Sequence, residues 1–205
     1  MAYHGYVPLV KQFLHQVPKD HVPTILEVGV DRGVTFLSLA MFLARTRSEF
    51  LIIGVDILVQ DAVNLLLQNL DLQPKQSAYL LQGNSLQTLP EMVDQNMKFD
   101  VVLLDGDHNY HTVSNELKHL EKLVHDHSII IIDDYDGRWS ERDLWYTERP
   151  GYEDVKVATA KVDTEKHGVK AAVDEWLVDH PEWKLSKPIQ GEPVLLMKQP
   201  GQVTT

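Results

Sequence analysis

"VVLLDGDHNYHTVSNEL", residues 101–117, changes its period halfway. Its first four residues are apolar without a break, as in a strand buried on both faces, whereas Tyr110, Val113 and Leu117 recur at three- and four-residue intervals, as on one face of a helix. Asp105, Asp107 and His108 fall at the changeover. Carboxylates and an imidazole repel, titrate and are costly to bury, so their concentration at the end of a strand points to a ligand there.

The same alternation runs along the chain. Apolar runs at 24–29 (TILEVG), 51–55 (LIIGV), 78–81 (AYLL), 99–104 (FDVVLL) and 128–132 (SIIII) read as buried strands, and segments of helical length separate them. One helical stripe is Tyr110, Val113, Leu117, Leu120 and Val124. Strands alternating with helices imply a mostly parallel sheet covered on both faces, a doubly wound α/β fold. A further helical pattern at 168–180 stops at Pro181, and two candidate strands lie near 183–187 and 193–198. Residues 135–167 break the alternation: they are long, polar and carry Trp139, Trp145, Tyr146 and Tyr152. They are predicted to form a lid or substrate insertion within a single domain spanning 1–205, whose tail PGQVTT (200–205) frays.

Composition excludes several functions. There is no cysteine, which removes disulfides, zinc–thiolate sites and thiol nucleophiles and predicts a reducing, cytoplasmic setting. A net charge of -11 disfavours nucleic acid, because affinity for a phosphate backbone comes largely from lysine and arginine. No apolar run reaches the length needed to span a bilayer, so no membrane partner is expected. A small-molecule substrate remains, and a homo-oligomer is compatible with a sequence that carries no signal for or against one.

In doubly wound sheets, ligands bind beyond the carboxyl ends of the strands, and the unusual residues of this chain sit there. Gly29 and Gly33, in ILEVGVDRGVT (25–35), join the first strand to the first crossover helix and permit a tight turn. Asp31 occupies the place of the second glycine of a dinucleotide fingerprint and would repel a pyrophosphate, which argues against NAD. Asp56 closes the second strand, where a carboxylate can accept from two ribose hydroxyls or can cap the next helix. Asn84 and Ser85 follow the third strand and either touch a base or cap a helix. Asp107 reads as the cap of the helix after the fourth strand.

Taken in order, Glu27-x-Gly29-x-x-x-Gly33, Asp56, the turn Asn84–Ser85 and the acidic end of the fourth strand resemble the class I S-adenosylmethionine-dependent methyltransferases over residues 22–134. The resemblance implies a Rossmann-like sheet of seven strands with an antiparallel last strand, for which GEPVLLMKQ (191–199) is the candidate. It further implies that Glu27, Gly29 and Gly33 line the methionine end of the cofactor, Asp56 its ribose, and Asn84 and Ser85 its adenine side, with Asp105 also beside it. LLDGDHNY followed by IIIIDDY (129–135) is similar to the metal-dependent O-methyltransferases of sugars and natural products. That likeness implies a divalent cation, usually magnesium, on Asp105, Asp133 and Asp134. The physics agrees, since three carboxylates brought together repel unless a cation compensates, and oxygen ligands suit magnesium, manganese or calcium.

Methyl transfer needs an oxygen nucleophile in line with the sulfonium methyl and a base for its proton. His108, with Asp105, is the candidate catalytic group; histidines such as His4, His15, His125 and His127 read as surface residues. Three readings compete: a metal-assisted O-methyltransferase acting on a small polyhydroxylated acceptor; a metal-independent enzyme using the same cofactor with His108 as base; and a silent nucleotide-binding module that works through 135–167.

Overall fold

Six strands run in one direction and one runs against them in a seven-stranded sheet, ordered β3-β2-β1-β4-β5-β7-β6, where only β7 opposes its neighbours β5 and β6. The strands are β1 (Thr24–Val28), β2 (Phe50–Asp56), β3 (Gln76–Gln82), β4 (Phe99–Leu104), β5 (Val124–Ile132), β6 (Trp183–Leu185) and β7 (Val194–Lys198). The helices are α1 (Tyr6–Gln16), α2 (Val34–Thr46), α3 (Asp61–Gln68), α4 (Ser85–Asp94), α5 (Tyr110–Leu123) and α6 (Gly168–Asp179). This computed structural model describes residues 5–152, 154–186 and 191–199. Residue 187 of one expected strand, His4 and the tail 200–205 lie outside them. Among the described residues no helix is long and apolar enough to cross a membrane.

The period of two along the strands sorts the core into layers. Val101, Leu103, Ile129 and Ile131 pack with Val10, Phe36, Leu39 and Val63 from α1, α2 and α3. Val102, Leu104, Ile130 and Ile132 face the other side and pack with Leu89, Leu117, Leu120 and Val173 from α4, α5 and α6. Hence β4 and β5, buried on both faces, read as unbroken apolar runs. Val124, expected on the helix, is instead the first residue of β5: α5 ends at Leu123 and passes into the strand without a loop, so the apolar stripe continues across the junction.

The sheet changes direction between β1 and β4, and ladder bonds continue past the strand ends there. Asp105 N donates to Val28 O at 2.8 Å, Asp133 N to Leu104 O at 3.0 Å, Gly29 N to Val55 O at 2.9 Å and Gly83 N to Asp56 O at 2.9 Å. Four loops are thereby pinned side by side.

Candidate functional site

Two glycines and one aspartate shape the loop after β1. Gly29 has φ +87°, and a Cβ there would lie 2.1 Å from Asp105 O, so only glycine lets this loop pass the end of β4. Gly33 (φ +71°) packs against Val63, where a Cβ would come within 2.5 Å of Cγ1. Asp31 adopts φ +46°, the left-handed conformation that glycine would supply, so the departure from a second glycine leaves the turn intact.

Asp56 organises that loop. Its Oδ2 accepts from Val30 N at 2.7 Å and Asp31 N at 2.9 Å, and its Oδ1 accepts from Leu58 N at 2.8 Å. It is not a helix cap, because α3 begins after Gln60. Asn84 does cap: its side chain accepts from Leu86 N at 2.9 Å and donates to Val157 O at 2.9 Å and Thr159 Oγ1 at 3.1 Å. Asn109, not Asp107, caps α5 by accepting from Thr112 N at 2.7 Å; the spacing Asn-x-x-Thr carried that signal. Asp107 accepts instead from Thr112 Oγ1 at 3.1 Å and lines the cleft between Gly29, Asp56 and Asn84. Burial raises its pKa to about 6.

Beside this cleft, Asp105, His108 and Asp133 converge, each offering a ligand atom within 4.8 Å of the others. His108 is buried; its Nε2 stands 3.7 Å from Asp105 Oδ1 and its Nδ1 4.0 Å from Asp134 Oδ2. Burial lowers the pKa of His108, and burial followed by the repulsion of Asp133 raises that of Asp105. Asp134, expected among the ligands, adopts φ +55°; its Oδ1 accepts from Arg138 N at 2.8 Å, while its Oδ2 faces His108. Glu27 is buried at the end of β1, with Oε2 unpaired and its pKa raised by burial and then by Asp56.

Tyr6 was not expected in the site. Its hydroxyl is buried against Asp105 and Asp133 but falls short of hydrogen-bond geometry with either, and burial raises its pKa. Nothing local in the first helix marks this residue. His125, read as a surface residue, joins His21 in a clamp at the opposite end of the sheet, at 3.0 and 2.8 Å from Asp100 Oδ1.

The segment 135–167 divides into an anchored base and a roof. Trp145, Leu144 and Tyr135 are buried, although the segment as a whole is polar. Asp143 accepts from Tyr110 N at 2.9 Å and Gly168 N at 2.8 Å, which joins the base to the starts of α5 and α6. Beyond the base, Tyr146, Tyr152 and Thr159 line the cleft, whose volume is about 50 Å³. Arg149 stacks on both tyrosine rings, 5.1 and 5.8 Å from their centres.

Comparison with known proteins follows the same lines. A family model described as "Methyltransferase domain" matches residues 26–135. No curated protein matches the sequence. Among solved structures, the MycE methyltransferase from the mycinamycin biosynthetic pathway, in complex with Mg, SAH and mycinamycin VI, is 15% identical with a TM-score of 0.60. The alignment covers 100% of this chain and 52% of MycE, so the chain spans about half the length of that protein. CalS11, a TDP-rhamnose 3'-O-methyltransferase of calicheamicin biosynthesis, is 16% identical with a TM-score of 0.59, over 93% of this chain and 76% of its own. Human methyltransferase-like protein 13, in complex with SAH, is 11% identical with a TM-score of 0.57, over 98% and 84%. These likenesses carry the fold, and the family match carries the rest: the chain belongs to the methyltransferase-domain family, with the class I S-adenosylmethionine-dependent architecture.

Proposed function

We propose that this chain is an S-adenosylmethionine-dependent O-methyltransferase that uses a divalent cation to methylate a hydroxyl of a small polyhydroxylated acceptor. The observation that carries the reading is the convergence of Asp105, His108 and Asp133 beside the cleft that Gly29 and Asp56 border. The donor set fits a cation: among the described residues no lysine or arginine side chain pairs with Asp105, Asp133 or Asp134, and oxygen donors select magnesium or manganese. Mg and SAH occur together in the MycE complex, and CalS11 is a sugar O-methyltransferase, which supports the same pairing and acceptor class here. The absence of cysteine supports a cytoplasmic setting.

In this reading Asp105, Asp133 and Asp134 would hold the cation, which when bound supplies the charge that lowers the pKa of an acceptor hydroxyl. His108 takes the proton: its Nε2 makes no hydrogen bond to Asp105 at 3.7 Å, and burial favours the neutral, basic form. Gly29 and Glu27 border the methionine end, Asp56 the ribose, and Asn84 with Ser85 the adenine. Among the described residues Asp56 Oδ1 accepts one backbone bond, from Leu58 N, and keeps a lone pair for a ribose hydroxyl. A cleft of about 50 Å³ is far below the roughly 300 Å³ at which small-molecule sites begin, so the roof of Tyr146, Tyr152 and Thr159 lifts to admit cofactor and then excludes water.

A second assignment is favoured by the position of His108 itself, which offers a ligand atom within 4.8 Å of those of Asp105 and Asp133, and makes it a ligand in place of Asp134. His108→Gln separates the two. As a base, its loss slows turnover on the order of a hundredfold and leaves cation affinity intact; as a ligand, its loss lowers cation affinity. The function itself is tested by calorimetric titration of SAH with and without magnesium, followed by turnover of polyhydroxylated acceptors before and after chelation. Undiminished turnover after exhaustive chelation would remove the cation from the mechanism, and cofactor binding without any turnover would favour a silent module.

A further inference from the structure

We infer that Tyr6 is a positioning residue of the cation site, its hydroxyl orienting the carboxylates of Asp105 and Asp133. The inference rests on the cation-assisted reading above. Tyr6 stands on the same stripe of α1 as Val10 and Leu14, at four-residue intervals, and all three are buried against the sheet. The start of this helix is held by Gly5, where an added Cβ would meet Pro193 Cδ at 2.9 Å, next to the beginning of β7. Docked this way, the helix delivers a phenol to the carboxyl ends of β4 and β5, where the ring is 3% exposed.

Packing accounts for the ring but not for the oxygen. A phenylalanine would fill the same space without burying an unpaired hydroxyl, and unpaired buried hydroxyls are rare because they give up their bonds to water. A second orphan, Glu27 Oε2, is buried in the same polar nest, so the hydroxyl is one of two groups there that protein atoms leave unsatisfied. With a cation held by Asp105 and Asp133, the Tyr6 O–H would donate to one of their carboxylate oxygens and so fix the orientation of that side chain. Groups that orient metal ligands in this way commonly affect metal affinity tenfold to a hundredfold.

The test is Tyr6→Phe in the full chain, with Mn²⁺ affinity measured by electron paramagnetic resonance, SAH affinity by calorimetry, and thermal melting alongside. The variant is expected to melt at the same temperature or higher, to bind SAH as the parent does, and to lose about tenfold in Mn²⁺ affinity. Equal Mn²⁺ affinity in parent and variant overturns the inference while leaving the cation reading standing. A parent that binds no Mn²⁺ removes both. Parallel loss of SAH binding and thermal stability would mark Tyr6 as a packing residue and overturn the inference as well.

Discussion

Glu116→Gln should make the protein's stability less sensitive to alkali. Glu116 lies on α5, fully enclosed between α5 and the start of α4; Ser85 is its hydrogen-bonding neighbour and Oε1 is unpaired. Burial raises its pKa from 4.5 to about 8, the Ser85 hydroxyl opposing and Asp107 adding to the shift. Between those values the folded chain holds a proton that the unfolded chain has released. The contribution to stability is therefore complete below about pH 4.5 and is lost progressively as pH rises toward 8. At 1.36 kcal/mol per pH unit, the loss between pH 5 and pH 8 is about 3 kcal/mol, a large share of a typical domain's stability. Glutamine has the same shape and no titration, so its amide adds a penalty that does not vary with pH. Urea unfolding of parent and variant at half-unit steps from pH 5 to pH 8 reads the difference. The variant should gain about 3 kcal/mol on the parent across that range. A difference that stays flat with pH would show that Glu116 ionises normally and that the enclosure argument is wrong.

Other perturbations test the proposed site. Asp56→Ala should weaken SAH binding by roughly tenfold to a hundredfold, as expected when a charged acceptor is lost; unchanged affinity in a folded variant would sink its assignment to the ribose. Asp133→Asn keeps the shape and removes one charge, so Mn²⁺ affinity should fall while the melting temperature holds or rises; retained affinity would place the cation elsewhere. Limited proteolysis should cut at Arg149 in the roof and spare Arg142, whose Nε is bonded to Arg138 O near the anchored base; cofactor and cation together should slow the cut. Equal rates with and without ligands would count against a roof that opens and closes.

The β-α alternation, the doubly wound sheet and the acidic end of β4 were legible in the sequence because each depends on a local pattern. Apolar runs announce strands buried on two faces, three- and four-residue spacing announces helix stripes, and Gly29 marks a turn that admits no side chain. Element boundaries were less legible, as at Val124, because an apolar residue satisfies the end of a helix and the start of a strand equally well. The pairing of Asp105 with Asp133 followed from topology, since adjacent parallel strands place their loops together. What sequence could not decide was orientation and distance. Asp134, at φ +55°, accepts from Arg138 N, while His108 brings Nε2 to 3.7 Å from Asp105 Oδ1, orientations that no spacing encodes. Tyr6 and the roof residues Tyr146 and Tyr152 reach the site only because α1 and 135–167 dock over the ends of the sheet. Such docking depends on how buried surfaces fit together across the whole chain, and packing complementarity leaves no periodic trace in any one segment.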